Sequence, residues 1–295
     1  MTTRRTELLA VGALVLCGVL FGTSFVVVKH GLRNVDPIPY VGLRFALAAV
    51  VFWPIARRRP AVPGDIRAGV GAGLSYAIAM VAQSTGLQHT TPSTSAFLTY
   101  LLVVIVPVIS FVITRVAPPK RVVLAIAIAV AGLTLLTGGG VGFGKGEIFT
   151  LVGAVVFAYH IIQVGRIGHR FDLWRFNAVH CATTAVVTLP LLPFTGGLPR
   201  AGGAWLVIVY AALVVTCCTL VPWTWAARHL SPTRTALILL TEPVFAALAD
   251  VATGGHLSGL ELTGAALILV GAIVSESAGF LTGESGVPSP ASSTI

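Results

Sequence analysis

Glu242 stands between Thr241 and Pro243 near the middle of a long apolar stretch. A charged group inside lipid costs several kcal/mol unless it is paired or hydrated, so its presence there points to function by default. Proline has no N–H to give the backbone ladder and leaves a carbonyl unpaired one turn earlier. A carboxylate beside such free backbone is suited to taking up a proton or holding a substrate ammonium group. The competing reading is that Glu242 pairs with a cation on a neighbouring helix and only holds the bundle together. Asp250 lies nearer the end of the same run, so hydration competes with a proton-coupling role. His160 and His180 sit in two other apolar runs. An unperturbed histidine titrates at about 6.5 and can relay protons, or it can stay neutral as a hydrogen-bonding residue. Arg44, early in a further run, reads as structural or interfacial, because its long stem can snorkel towards the membrane surface.

Uncharged groups at helical spacing supply the rest of a candidate substrate site. Tyr76 and Gln83 are seven residues apart and share a helix face, as do Tyr159 and Gln163 at four. With Tyr100 and Glu242 they form the predicted substrate-binding set; Glu242, Asp250, His160 and His180 form the predicted proton-coupling set. Interfacial tyrosine anchors and interhelical glutamine hydrogen bonds would give the same pattern.

Covalent chemistry finds no comparable signal. Gly139, Gly144 and Lys145 imitate a phosphate-binding loop, but Gly146 stands where a magnesium-binding Ser or Thr is needed. No H-E-x-x-H and no G-x-S-x-G is present. Cys17, Cys181, Cys217 and Cys218 lie in apolar runs without metal-ligand spacing and read as small packing residues. The expectation is a protein that is not an enzyme and uses no metal or cofactor.

These residues must be positioned by membrane-spanning helices. The 295 residues are 56% hydrophobic and 10% charged, with a mean hydropathy of +0.93, too apolar to cover a soluble globule. A bilayer core takes about 20 apolar residues per helix. Windows of that kind are predicted at Leu8–Val28, Ile38–Ala56, Ala68–Leu87, Ser93–Ile113, Val122–Thr137, Ile148–Ile167, Trp174–Phe194, Ala204–Trp225, Thr235–Thr253 and Ser258–Phe280. The Ser- and Pro-rich residues 281–295 are expected to be a disordered cytoplasmic tail.

The net charge of +9 reports topology rather than nucleic-acid binding. With the N-terminus inside, Arg4, Arg5, Arg57, Arg58, Arg59, Arg67, Arg115, Lys120, Arg121, Arg166, Arg170, Arg175, Arg228 and Arg234 all face the cytoplasm. Only Lys29, Arg33, Lys145 and Arg200 lie outside, and Arg44 within a span completes the 19 basic residues. A multi-pass inner-membrane protein with both termini cytoplasmic follows, its partners being the lipid bilayer, a small-molecule substrate and, as a coupling ion, protons. The oligomeric state is left open.

The chain also repeats itself. His89-Thr90-Thr91-Pro92 matches His229-Leu230-Ser231-Pro232, and each leads into an apolar span with an internal proline, Pro107 or Pro243. Each continues into a glycine-bearing helix around Gly132 or Gly271. This predicts two five-helix halves, 8–137 and 147–280, around a linker at 138–146. An odd number of spans per half makes the second copy enter from the opposite side, an inverted repeat with a site near the midplane. The fold class is therefore all-α: ten transmembrane helices as two inverted five-helix repeats.

Phe21-Gly22-Thr23-Ser24-Phe25, Arg44-Phe45, Ser95-Ala96-Phe97, His229-Leu230-Ser231-Pro232, Thr241-Glu242-Pro243 and Gly264-Ala265-Ala266 to Gly271 together resemble the EamA-type drug/metabolite transporters. The resemblance covers about Leu8 to Gly279. It implies a secondary transporter that exports a small amino-acid-like or drug-like metabolite by alternating access, with helices one, three, four, six, eight and nine around a central cavity. A channel, a scaffold and an enzyme acting on lipid-linked substrates are the other readings. Where relatives carry Gly-Glu, this chain has Gly255-His256 and Pro119-Lys120.

Overall fold

A computed structural model describes residues 4–31, 35–90, 92–138, 144–167, 171–200 and 202–282. Among them every regular element is helical: α1 (Arg4–Gly31), α2 (Pro37–Ala56), α3 (Asp65–His89), α4 (Pro92–Tyr100), α5 (Leu102–Thr114), α6 (Lys120–Thr137), α7 (Lys145–Gly165), α8 (Leu173–Thr188), α9 (Gly202–Tyr210), α10 (Cys218–Ala227), α11 (Pro232–Leu239), α12 (Glu242–Ala252) and α13 (Gly259–Thr282). A 3-10 turn, Leu189–Phe194, extends α8, and a π-helical stretch, Ala211–Cys217, joins α9 to α10.

Seven helical stretches among the described residues are long and apolar enough to cross a membrane. They coincide with the first, second, fourth, fifth, sixth, seventh and eighth predicted windows. The third, α3, carries Ser75, Tyr76, Gln83, Ser84 and Thr85, which dilute its hydropathy. The ninth is interrupted, and the tenth holds a shorter apolar run, Gly259–Ser275.

The interruptions fall at matching places. α4 opens on Pro92 and stops at Tyr100; α11 opens on Pro232 and stops at Leu239. In the second case the cause is Pro243, which cannot donate to the Leu239 carbonyl. Thr241 tightens to a bond with Ile238 O at 3.0 Å before the helix resumes, with Phe245 N bonding Thr241 O at 3.1 Å.

Close backbone contact holds this break in place. A Cβ on Gly22 would lie 2.5 Å from the Glu242 carbonyl oxygen and 2.8 Å from Ala246 N. α1 therefore presses directly on the α11–α12 junction through a surface that only glycine allows. α6 and α13 cross in the same way: a Cβ on Gly264 would meet Gly132 O at 2.6 Å.

Contacts between helix termini define the two ends of the bundle. At one end Asp65 pairs with Arg175 at 2.7 Å and Glu7 with Arg234 at 3.1 Å, and Arg228 Nη1 donates to Phe171 O at 2.9 Å. Burial lowers the Arg228 guanidinium to about 10, the charge of Asp172 opposing. Asp65 is held below the usual carboxylate range: burial works against this, and its bonds from Arg175 and the Val62 and Ile66 N–H groups prevail. This is the basic end. At the opposite end Thr90 bonds Glu147 at 2.5 Å and Gly196 N donates to Asp36 at 2.6 Å.

Candidate functional site

A cavity of about 490 Å³ enters the bundle from the end opposite the basic loops. Its mouth lies among Leu87, Thr137, His256 and Glu261, and its floor is formed by His160, Trp223 and Leu239. Below the floor lie the ion pairs of the basic end. α1, α3, α4, α5, α7, α10, α11 and α12 contribute, as the resemblance implies, but so do α2, through Tyr40 and Arg44, α6, through Leu136 and Thr137, and α13, through Glu261.

Glu242 lines this cavity. The break after Leu239 delivers it there, since α12 starts afresh at Glu242. Its carboxyl group lies beside the hydroxyl of Tyr100, the last residue of α4, close enough for the two to interact, so the two interrupted segments meet at these side chains. One wall is continued by Gln83, whose Nε2 donates to Thr99 Oγ1 at 3.0 Å.

Arg44 corrects the sequence reading. Its side chain does not snorkel; the residue is 8% exposed and lines the cavity. Nε donates to Thr216 Oγ1 at 2.7 Å and Nη1 to the Tyr40 hydroxyl at 2.9 Å. The guanidinium carbon lies 5.7 Å from the Tyr40 ring centroid and 5.5 Å from that of Phe45, within cation–π range. Neither of the ion pairs found among the described residues involves Arg44. Thr216 belongs to the π-helical stretch, and its hydroxyl donates to Ala211 O at 2.9 Å. The widened turn sets that oxygen where Nε can reach it.

His160 stacks on Trp223, with centroids 5.4 Å apart and planes 6° apart. Its Nδ1 lies 3.0 Å from Ser75 Oγ, while its buried Nε2 has no hydrogen-bond partner. The Ser75 hydroxyl also reaches the Ala72 carbonyl and Gln163 Oε1, each at 3.0 Å. Its single proton has acceptors there, which leaves its oxygen to accept from Nδ1–H. In that tautomer Nε2 carries a bare lone pair at the cavity floor.

The structure thus brings Tyr76, Gln83, Tyr100, His160 and Glu242 to one cavity. It places the other predicted residues elsewhere. Tyr159 is 50% exposed on the outer surface of α7, because the inner face of that helix carries Phe157, His160 and Ile161. Gln163 is spent on Ser75 below the cavity. His180 is fully buried with both ring nitrogens unpartnered, caged by Phe45, Tyr76, His160 and Phe176 at 5.1 to 6.4 Å. The Asp250 side chain lies outside the described part of α12. Tyr40, Thr99, Phe157 and Trp223 line the cavity without having been singled out from the sequence. Tyr40 could have been, since it stands one helical turn before Arg44. Among the described residues no three His, Cys, Asp or Glu side chains converge as metal ligands would.

Known proteins share this architecture. An uncharacterized transporter of Archaeoglobus fulgidus is 26% identical over 268 residues, covering 88% of this chain and 83% of its own. The uncharacterized inner membrane transporter YedA of Escherichia coli K12 is 24% identical over 259 residues, 83% of each chain. A solved crystal structure superposes with a TM-score of 0.76 at 18% identity, covering 94% of this chain and 99% of the other, which shows a shared fold. The model of the EamA-like transporter family matches twice, at residues 8–138 and 144–276. A duplicated match across the helices that build the cavity makes this chain a multi-pass membrane protein of the EamA-like transporter family.

Proposed function

We propose that the protein is a secondary active transporter that exports a small organic metabolite across the inner membrane by alternating access. One observation carries this reading: the cavity is open at the end away from the basic loops and stops at a floor, below which ion pairs close the basic end. Retention of basic loops on the cytoplasmic side makes this the outward-facing state. A site reachable from one side at a time, near a break in two helices, is what alternating access requires.

In this reading the bundle has ten spans in two inverted halves, 8–137 and 147–280, with both termini cytoplasmic. α4 with α5 is the inverted counterpart of α11 with α12, and α3, though polar, spans because its polar residues face the cavity. Tyr76, Gln83, Tyr100 and Glu242 contact the solute, and Glu242 couples proton uptake to the switch of state. The linker at 138–146 faces outward; its residues 139–143 and the tail from 283 lie outside the described structure.

Resistance on overexpression, screened over toxic amino-acid analogues and drug-like compounds, selects candidate solutes, and counterflow in proteoliposomes tests them. Unlabelled solute inside should accelerate uptake of label outside. Absence of counterflow for every solute to which overexpression gives resistance would sink the exchanger and favour a channel, a scaffold or a lipid-directed enzyme. Sensitisation with accumulation would reverse the direction.

A further inference from the structure

Arg44 is buried at membrane depth, lines the cavity, and is in neither of the ion pairs found among the described residues. A fixed guanidinium withdrawn from water without a counter-charge is costly. Two of its donors are committed, Nε to Thr216 and one Nη1 proton to Tyr40. Those bonds and the flanking rings of Tyr40 and Phe45 fix the plane of the group. They leave the second Nη1 proton and both Nη2 protons, the end-on edge of the fork, which matches the two oxygens of a carboxylate.

We propose that this edge of Arg44 is an anion subsite and that the transported solute carries a carboxylate which docks on it. The inference rests on the cavity being the transport site. The π-helical turn at Ala211–Cys217 then has a role, since Thr216 aims the fork while the edge stays free. Glu242 feels the charge of Arg44 but is not ion-paired with it. The solute carboxylate is the missing counter-ion.

Two further features bear on the shape of the solute. The unpartnered His160 Nε2 lies at the floor of the same cavity and can accept one hydrogen bond from the solute. Phe157, Met80 and Trp223 supply apolar wall for the remainder.

The test uses the purified full-length protein and a fixed panel: the proteinogenic amino acids and a set of aliphatic and aromatic monocarboxylic acids, each beside its methyl ester. Thermal stabilisation and counterflow are read for both members of every pair. At least one acid is expected to stabilise and to exchange, while its ester, larger by one methyl group and without the anion, does neither. Arg44→Gln should weaken the response to that acid roughly tenfold to a hundredfold, with Arg44→Lys, which keeps charge but loses the fork, in between. The acid–ester comparison is made on the wild type, so it decides even if the variants fail to fold. Esters binding as well as acids, Arg44→Gln keeping wild-type affinity, or no acid binding at all would each overturn the anion subsite. Counterflow of neutral or cationic solutes that Arg44→Gln leaves intact would sink the subsite and leave the transporter standing. No counterflow of any solute would remove the transport reading itself.

Discussion

Arg44 Nε and Thr216 Oγ1, 172 residues apart in the chain, meet at 2.7 Å inside the bundle. The bond joins α2 to a stretch whose helix has widened to the π form. Removal of the acceptor leaves a buried charged donor unsatisfied, so Thr216→Val should cost about 1–3 kcal/mol. Melting in detergent measures this, and in the double variant with Arg44→Leu the two losses should be clearly less than additive.

Gly22 makes a second prediction that is purely steric. A methyl group there would sit 2.5 Å from the Glu242 carbonyl oxygen, a backbone atom that cannot swing aside. Gly22→Ala should destabilise by about 1–3 kcal/mol and move the α11–α12 junction. Gly12, whose Cβ would meet nothing within 4 Å, is the control on the same helix and should tolerate alanine.

Much of this was legible in the chain. Pro243 beside Glu242 announced a disturbed helix, and the repeated His-x-x-Pro marked the start of both α4 and α11. Tyr76 and Gln83 shared a face because seven residues make nearly two turns. Spacing, however, says which residues share a face and never which neighbour that face meets. Tyr159 with Gln163 fulfilled the spacing, yet α7 turns Phe157 and His160 inward and leaves Tyr159 outside. Arg44 was misread for the same reason: its depth was readable, its azimuth was not. The π-helical turn that supplies its partner has no sequence signature at all.

The correction at Tyr159 is testable. Tyr159→Leu should leave counterflow and melting temperature unchanged within error, since half of the residue is exposed on the outer face. Tyr76→Leu removes a ring packed at 5.1 to 5.5 Å against Phe45, Phe157, His160 and His180. It should cost about 1–3 kcal/mol as a truncated, partly buried aromatic and should abolish transport. Equal effects at the two sites would contradict the assignment of faces on α7.

The closed basic end predicts how the equilibrium between states can be moved. Asp65–Arg175 and Glu7–Arg234 tie helices together at that end, so if they hold it shut, neutralising either pair should favour the opposite state without blocking the site. Leu239→Cys, at the cavity floor, serves as reporter with a membrane-impermeant maleimide. In the parent it should be labelled from the periplasmic side; adding Glu7→Gln should increase labelling from the cytoplasmic side. Unchanged labelling from both sides would mean these pairs do not set the balance.

Glu242 provides the last and most specific expectation. It lies where both interrupted segments meet, beside Tyr100, so a change in its protonation alters the contact that joins α4 to α12. Glu242→Gln keeps the size of the side chain and its capacity to hydrogen-bond the tyrosine, but it cannot titrate. If Glu242 couples protons to the switch, net transport by the variant should lose its pH dependence and its response to a collapsed proton gradient. Solute exchange, which moves no net proton, should persist at neutral pH, and melting should stay close to wild type. A variant with an unchanged pH profile would reduce Glu242 to a helix-joining residue and pass the coupling role to His160, the titratable group at the cavity floor.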